Sequence, residues 1–331
     1  MNPNFFETLQ ANLLAPTVLF FVLGIVATLV RSDLRFPEAL YHGLTIYLLA
    51  AIGFKGGVAI AEAGIANVWL PTMVACGLGA AIPLWCYPLL RWGGKLSAVD
   101  AAAVAGHYGS VSAVTFIAAT TFLQRMQVPL ENYSAVFLAV MESPAIIVSI
   151  AIGKLAMRDA QWSWRVTGLA QLREALFGRS IVLLLGSLVV GTLCGSRGME
   201  AMSGFFVDPF QGLLALFLLE LGMVAARRLG ALRRVGVFLL IFGVTMPLVN
   251  GTVGVLAGKW VGLSLGGATL LGVLAASASY IAAPAAMRVS LPDANPTLYL
   301  TASLVITFPF NITVGIPIYY AIAQALYGSG G

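Results

Sequence analysis

The segment GLTIYLLAAIGF at residues 43 to 54 returns as GLLALFLLELGM at 212 to 223, 169 residues later in a chain of 331. Two further matches follow in chain order: Ser110 and Ser112 fall on Ser277 and Ser279 at a spacing of 167, and Pro144 falls on Pro309 at 165. Three nearly equal spacings of about half the chain are what a duplicated unit with small deletions leaves behind. The copied segment reads as a hydrophobic hairpin present once in each half.

The duplicated unit belongs in a bilayer. Hydrophobic residues make up 60% of the chain and charged residues 9%, too little polar surface to cover a water-soluble globule of this size. The longest polar stretch, residues 157 to 179, is too short to build a core of its own. A net charge of +5 does not point to nucleic acid, because the arginines sit in short connections where they set membrane orientation. The first apolar run, 15 to 30, is preceded by Glu7 and by no Lys or Arg, so it reads as a span rather than a signal peptide. Cys76, Cys86 and Cys194 lie in apolar segments without ligand spacing and read as small buried residues.

Apolar runs near 15–30, 37–54, 66–90, 97–123, 133–157, 180–195, 208–225, 235–258, 266–287 and 297–326 predict ten spans, five per repeat. Basic residues choose the sides. Arg31, Arg35, Arg91, Lys95, Lys154, Arg158, Arg165, Arg173, Arg179, Arg227, Arg228, Arg233, Arg234 and Arg288 fall on one side, and Lys55, Arg125, Arg197 and Lys259 on the other. That bias places both termini outside and the connection between the repeats inside. Five spans per copy make the copies antiparallel, so residues 1–165 and 166–331 are expected to be inverted five-helix repeats. Secondary transporters commonly have this architecture, with one site at the midplane.

The fourth span, DAAAVAGHYGSVSAVTFIAATTF, carries Gly106, Gly109 and two serines near its centre, and the ninth, GVLAASASYIAAPAAM, carries two serines and Pro284 at the matching depth. Gly permits non-helical backbone and Pro removes a donor, so both spans are expected to break. Such breaks are tolerated at membrane depth only where they line a cavity or are buried in protein. Each break opens a helix N-terminus whose N–H groups favour an anion and whose serines cap the helix or touch the ligand. One motif alone is explained as well by close helix packing through small residues. Recurrence at the repeat spacing favours a site made of Gly109, Ser110, Val111, Ser112, Ser277, Ala278, Ser279 and Tyr280.

A second pair of motifs suits a cation. Glu142-Ser143-Pro144 lies in the fifth span and Thr307-Phe308-Pro309-Phe310-Asn311 in the tenth. Each Pro frees the carbonyl four residues earlier, that of Val140 or Val305, and freed carbonyls, hydroxyls and a carboxylate form a hard oxygen set. Glu142 within a span costs about 2.5 to 3.5 kcal/mol on insertion scales, which places it at a cavity or a partner. Sodium is the first ion such a set suggests, and a carboxyl group that carries a proton is the alternative. Glu220 reads equally as a structural or a functional acid. His42 and His107 read as hydrogen-bonded structural groups without an acidic partner in sequence, and Asp100 and Asp208 as helix caps. The cluster Arg227, Arg228, Arg233, Arg234 is an orientation signal that also suits anionic lipid.

These residues resemble the sodium-dependent bicarbonate transporters first described in cyanobacteria. The likeness runs from APTVLFFVLGIVA through IGFKGGVAI, GSVSAVT, MESPA and LGMVAARRLGALRR to SASYIAAPAAMRVSLPDANPTLY and NITVGIPIYY, and is most specific around Arg288, Pro292, Ala294-Asn295-Pro296 and Tyr299. It implies a gate domain of spans 1, 2, 6 and 7, a core domain of spans 3–5 and 8–10 in which interrupted helices 4 and 9 cross near the midplane, a homotrimer, and elevator-like movement of core against gate. It implies residence in a bacterial inner membrane and a PII-like cytoplasmic regulator as partner. By position, Ser112 and Thr115 match the family's first substrate motif, Ser277 and Ser279 the second, and Glu142 the acid before Ile-Pro-Ala. Two positions depart from the pattern: Tyr280 stands where the family has an Asp, and Ala113 where it has a Gly. The connection between the repeats is also shorter.

The function expected is therefore sodium-coupled transport of bicarbonate or a similar small anion, not catalysis. A small-carboxylate carrier and a non-transporting sensor or channel share much of the pattern. An intramembrane hydrolase using Ser110 and His107 does not fit, because the repeat supplies a matching serine but no matching His and no third orienting group.

Overall fold

The computed structural model describes residues 5–63, 68–156 and 179–328, and every element among them is helical. In chain order these are α1 Phe5–Leu13, α2 Pro16–Leu29, α3 Glu38–Ala63, α4 Trp69–Pro88, α5 Ala98–Gly109, α6 Ala113–Arg125, α7 Ala135–Ala156, α8 Arg179–Phe206, α9 Phe210–Arg227, α10 Leu232–Trp260, α11 Leu265–Ala276, α12 Ala282–Ser290 and α13 Pro296–Gly328. The polar stretch after 156, with Arg158, Arg165 and Arg173, lies outside the described residues.

Eight stretches among the described residues are long and apolar enough to cross a membrane: α3, α4, α5 with α6, α7, α8, α9, α10 and α13. The pair α1 and α2, bent by 55°, makes a ninth. The segment expected as the ninth of ten spans is built as the short apolar helix α11 followed by α12. The protein is thus a multi-pass membrane protein, and Trp69, Trp92 and Trp260 stand exposed at helix ends, where an aromatic ring suits the bilayer interface.

Several local expectations change. Residues 43–54 and 212–223 are not hairpins, since each lies within one helix, α3 or α9. Glycines occur only near the edges of these segments and Pro is absent, so nothing inside them breaks a helix. Lys55 lies inside α3 rather than in a connection, its ammonium 4.3 Å above the Phe210 ring, and Arg197 lies inside α8. His42 does have an acid, Glu38 one turn earlier, at 3.5 Å. Cys194 is exposed rather than buried. The expected sixth span ends at Gly195, where α8 kinks with φ 59°, a conformation only Gly adopts freely.

Two compact units form, and neither is a sequence half. The first gathers the described parts of Met1–Val68 and Arg179–Gly230 with Asn132–Ala135; the second holds the remainder. Within the first unit, backbones meet at glycines. A Cβ on Gly222 of α9 would lie 2.1 Å from the Phe21 carbonyl oxygen of α2, and one on Gly53 of α3 would lie 2.4 Å from that of Leu184 of α8. Gly53 and Gly222 are 169 residues apart, and their targets 163, so each half lends one helix to each pair. Contact this close is how membrane helices without a hydrophobic driving force associate.

Gly57 of α3 is the tightest of these contacts, since a Cβ there would lie 1.9 Å from the Leu188 carbonyl oxygen. Gly57→Ala is therefore expected to lower the melting temperature in detergent, although Ala is the better helix former by about 1 kcal/mol. Gly43→Ala, where nothing lies within 4 Å, is expected not to lower it.

Within the second unit, Trp85 of α4 donates its indole N–H to Oδ1 of buried Asn250 of α10 at 2.9 Å. The bond joins a helix of the first half of the sequence to one of the second. The same unit holds α5, α6, α11, α12 and α13, and with them both Ser-x-Ser motifs.

Candidate functional site

Helices α5 and α11 are the same object built twice. Each has twelve residues, begins at a serine N-cap and ends at a serine: Ser97 to Ser110 in one, Ser264 to Ser277 in the other, 167 residues apart throughout. Ser97 Oγ accepts the Asp100 N–H at 3.0 Å and Ser264 Oγ the Gly267 N–H at 3.1 Å. Neither acid expected as a cap is the N-cap: Asp100 lies in the first turn of α5, where its carboxylate takes the hydroxyl of the cap Ser97, and α9 has no side-chain cap although Asp208 precedes it.

Both chains leave the helix at the serines, with Ser110 and Ser277 extended (ψ 162° and 163°). Gly106 and Gly109 were expected to supply the first break, yet both lie inside α5 and serve packing. A Cβ on Gly106 would lie 2.3 Å from Ser149 Oγ, and one on Gly109 2.5 Å from the Pro83 ring. Pro284 is the third residue of α12, where no N–H is needed; its ring excludes a helical carbonyl at residue 280, which fixes where the second break ends.

The two breaks bond to each other. Ser112 donates its N–H to Ser277 Oγ at 3.0 Å, and Ser279 donates its N–H to the His107 carbonyl at 2.8 Å. Ser277 Oγ donates in turn to the Leu274 carbonyl at 2.8 Å. The second serine of each motif caps the helix that follows: Ser112 Oγ accepts from Thr115 N–H and Ser279 Oγ from Ala283 N–H, both at 3.2 Å. Val111 and Ala278 are buried between them, and the buried Tyr280 ring meets Phe308 edge-on at 5.2 Å.

Ser277 Oγ both donates and accepts, whereas Ser112 Oγ and Ser279 Oγ accept a helix N–H and each keep an O–H beyond that bond. Ser110 Oγ is wholly buried and has no hydrogen-bond partner among the described residues. The N–H groups of Ala113 and Val114 at the start of α6, and of Ala282 at the start of α12, have no carbonyl within their own helices to reach. A buried hydroxyl beside two positive helix ends can receive a small anion without any Lys or Arg.

The expected ion ligands are divided. Asn311 joins the second break, its Nδ2 donating to the Ala276 carbonyl at 2.8 Å while Oδ1 accepts the Tyr319 hydroxyl at 3.0 Å. Thr307 Oγ1 donates to the Gly243 carbonyl and accepts the Tyr108 hydroxyl, each at 2.7 Å. Thr115 is buried in the first turn of α6, and Glu142 is half-buried in α7, which continues through Pro144. None of the bonds just described reaches Glu142. Val305 lies in a π turn, Thr301–Thr307, a geometry that pairs a carbonyl with the N–H five residues on and so steps past Pro309. The Val140 carbonyl faces the same missing donor at Pro144 without such a turn.

Tyr108, Tyr319 and the His107 backbone belong to this network and were not singled out from sequence. Only the position of Tyr108 beside the Gly-Ser-Val-Ser run could have pointed to it. His107 is the hydrogen-bonded structural group expected: its Nδ1 donates to the Ala103 carbonyl at 2.6 Å and its ring stacks on Tyr299 at 4.4 Å.

Paired broken helices inside a multi-pass membrane protein, bonded to each other and ringed by buried hydroxyls, are an arrangement that secondary transporters use. Residues 16–324 match the sequence model of the Na+-dependent bicarbonate transporter superfamily, and the chain belongs to that family. A search of curated proteins gave no match.

Proposed function

We propose that this protein takes up bicarbonate, or a similarly small anion, together with sodium, by elevator-type alternating access. The observation that carries this reading is the pair of bonds between the breaks, Ser112 N–H to Ser277 Oγ and Ser279 N–H to His107 O. They hold two helix N-termini and the unpartnered Ser110 hydroxyl to one locus. The anion binds there among Gly109, Ser110, Val111, Ser112, Ser277, Ala278, Ser279 and Tyr280. Its donors are Ser110 Oγ and the first N–H groups of α6 and α12.

Sodium takes oxygens from Thr115, Val140, Glu142, Val305, Thr307 and Asn311. Thr307 Oγ1 and Asn311 Oδ1 each keep a lone pair beyond the bonds already described. In this reading the ten spans are two inverted repeats, the first compact unit is the gate and the second the moving core. Both termini lie outside a bacterial inner membrane, the protein is a homotrimer, and a PII-like protein regulates it from the cytoplasm.

Uptake of labelled bicarbonate into proteoliposomes is expected to require an inward sodium gradient and to resist competition by small carboxylates. Uptake driven equally well by a proton gradient, or abolished by a carboxylate competitor, would replace this reading with that of a carboxylate carrier. Dissipative flux without coupling would make the protein a channel.

Ser110→Ala removes a hydroxyl that bonds to no described protein group, so the melting temperature should hold. The KM for the anion should rise by roughly tenfold or more, as for loss of one hydrogen bond to a charged ligand worth about 1.5–3 kcal/mol. An unchanged KM would take Ser110 out of the site.

A further inference from the structure

The ends of the second unit's broken helices are clamped by carboxylates in a pattern that transport chemistry does not explain. Glu131, in the connection after α6, takes the backbone N–H of Ser264 with Oε1 and the Ser264 hydroxyl with Oε2 at 3.1 Å. Ser264 is the N-cap of α11, so this carboxylate also sits at the positive end of that helix. Asp100, in the first turn of α5, takes the Ser97 hydroxyl with Oδ2 at 2.6 Å and the Asn295 N–H with Oδ1 at 2.7 Å. Asn295 is in turn the N-cap of α13.

These are one junction built twice. Ser97 and Ser264 are 167 residues apart, Asp100 and Gly267 are also 167 apart, and the connections that meet them, Pro129-Leu130-Glu131-Asn132 and Pro292-Asp293-Ala294-Asn295, are 163 apart. The acid has changed partners between the copies: the helix supplies it in one junction and the connection in the other. Where the connection supplies Glu131, the helix position is Gly267, and a Cβ there would lie 1.7 Å from Glu131 Oε2. In each junction a connection from one half grips the helix start of the other half. The two junctions stand at opposite ends of the broken span Ala98–Arg125.

We propose that Glu131 and Asp100 are positioning residues for the anion site, a matched pair of clamps that hold the two halves of this unit in register so that the breaks meet. From Ser264, α11 runs without interruption for about 18 Å, at 1.5 Å per residue, to Ser277, whose hydroxyl takes the Ser112 N–H. Tilt or slip at the clamp is therefore delivered to the break. The inference rests on the anion site proposed above.

The test transplants one junction onto the other in the full-length protein. Glu131→Asn and Gly267→Asp are each expected to raise the KM for labelled bicarbonate by roughly tenfold or more, the scale of a lost charge-assisted hydrogen bond. Each should also speed amide hydrogen exchange at Ser112 and Ser279 in the ligand-free protein. The double variant moves the acid from the connection to the helix, where the other junction has it, and is expected to restore both quantities. A double variant no better than the worse single, or single variants that lower the melting temperature while leaving KM and exchange at the breaks unchanged, would overturn the proposal. If the wild-type protein transports no bicarbonate, the functional reading falls, and exchange at Ser112 and Ser279 still decides the clamp.

Discussion

Ser277→Val is expected to abolish measurable uptake, whereas Ser277→Thr, which adds the same bulk, is not. The Ser277 hydroxyl accepts the Ser112 N–H and donates to the Leu274 carbonyl. Valine adds a methyl group, as threonine does, but also strands a buried donor, at a cost of about 1–3 kcal/mol. Relief comes only if the breaks move apart, which takes Ala113 and Val114 away from the positive end of α12. Ser277→Thr retains the hydroxyl and should keep partial uptake. Normal uptake by the valine variant would mean that contact between the breaks does not position the substrate.

Asn311→Leu is expected to lose both uptake and stability. The amide joins the carbonyl of Ala276, the last residue of α11, to the hydroxyl of Tyr319, and all three residues are buried. Leucine leaves two buried partners unsatisfied, each costing about 1–3 kcal/mol, so the melting temperature should drop clearly further than for Ser277→Val. It also removes a proposed sodium ligand. Raising the sodium concentration should therefore recover part of the uptake, because a site short of one ligand binds the ion more weakly and mass action compensates. No recovery at any sodium concentration would show that Asn311 supports the fold without serving the ion.

Much of the fold was legible because apolar runs and a repeat spacing are properties of sequence. The ends of α5 and α11 fall at Ser110 and Ser277 for a reason visible in the residues: a serine N-cap starts each twelve-residue helix, and the Ser-x-Ser run follows at the same distance in both copies. What was not legible depended on which hydroxyl faces which carbonyl. All four motif serines look alike in sequence, yet Ser277 cross-links the breaks, Ser112 and Ser279 accept helix N–H groups, and Ser110 alone has no hydrogen-bond partner among the described residues. The glycines near the first break were read as hinges, since sequence cannot distinguish a glycine chosen for backbone freedom from one chosen because Ser149 or Pro83 leaves no room for a Cβ. Thr307 and Asn311 were read as ion ligands, and their partners Tyr108, Gly243 and Ala276 come from helices that only tertiary packing brings against α13, with Tyr319 eight residues along α13 itself. The clamps were hidden in the same way: Asp100 was read as a cap although Ser97 is the cap, and the acid stands on the helix in one junction and in the connection in the other, so no repeat spacing joins Asp100 to Glu131.

The most direct test of one anion held between two broken helices is a structure determined with sodium and bicarbonate at concentrations that saturate uptake. Density for a planar anion is expected within hydrogen-bond distance of Ser110 Oγ and of the N–H groups of Ala113, Val114 and Ala282. An anion bound elsewhere in the protein, with the space between the two Ser-x-Ser motifs filled by side chains, would contradict it.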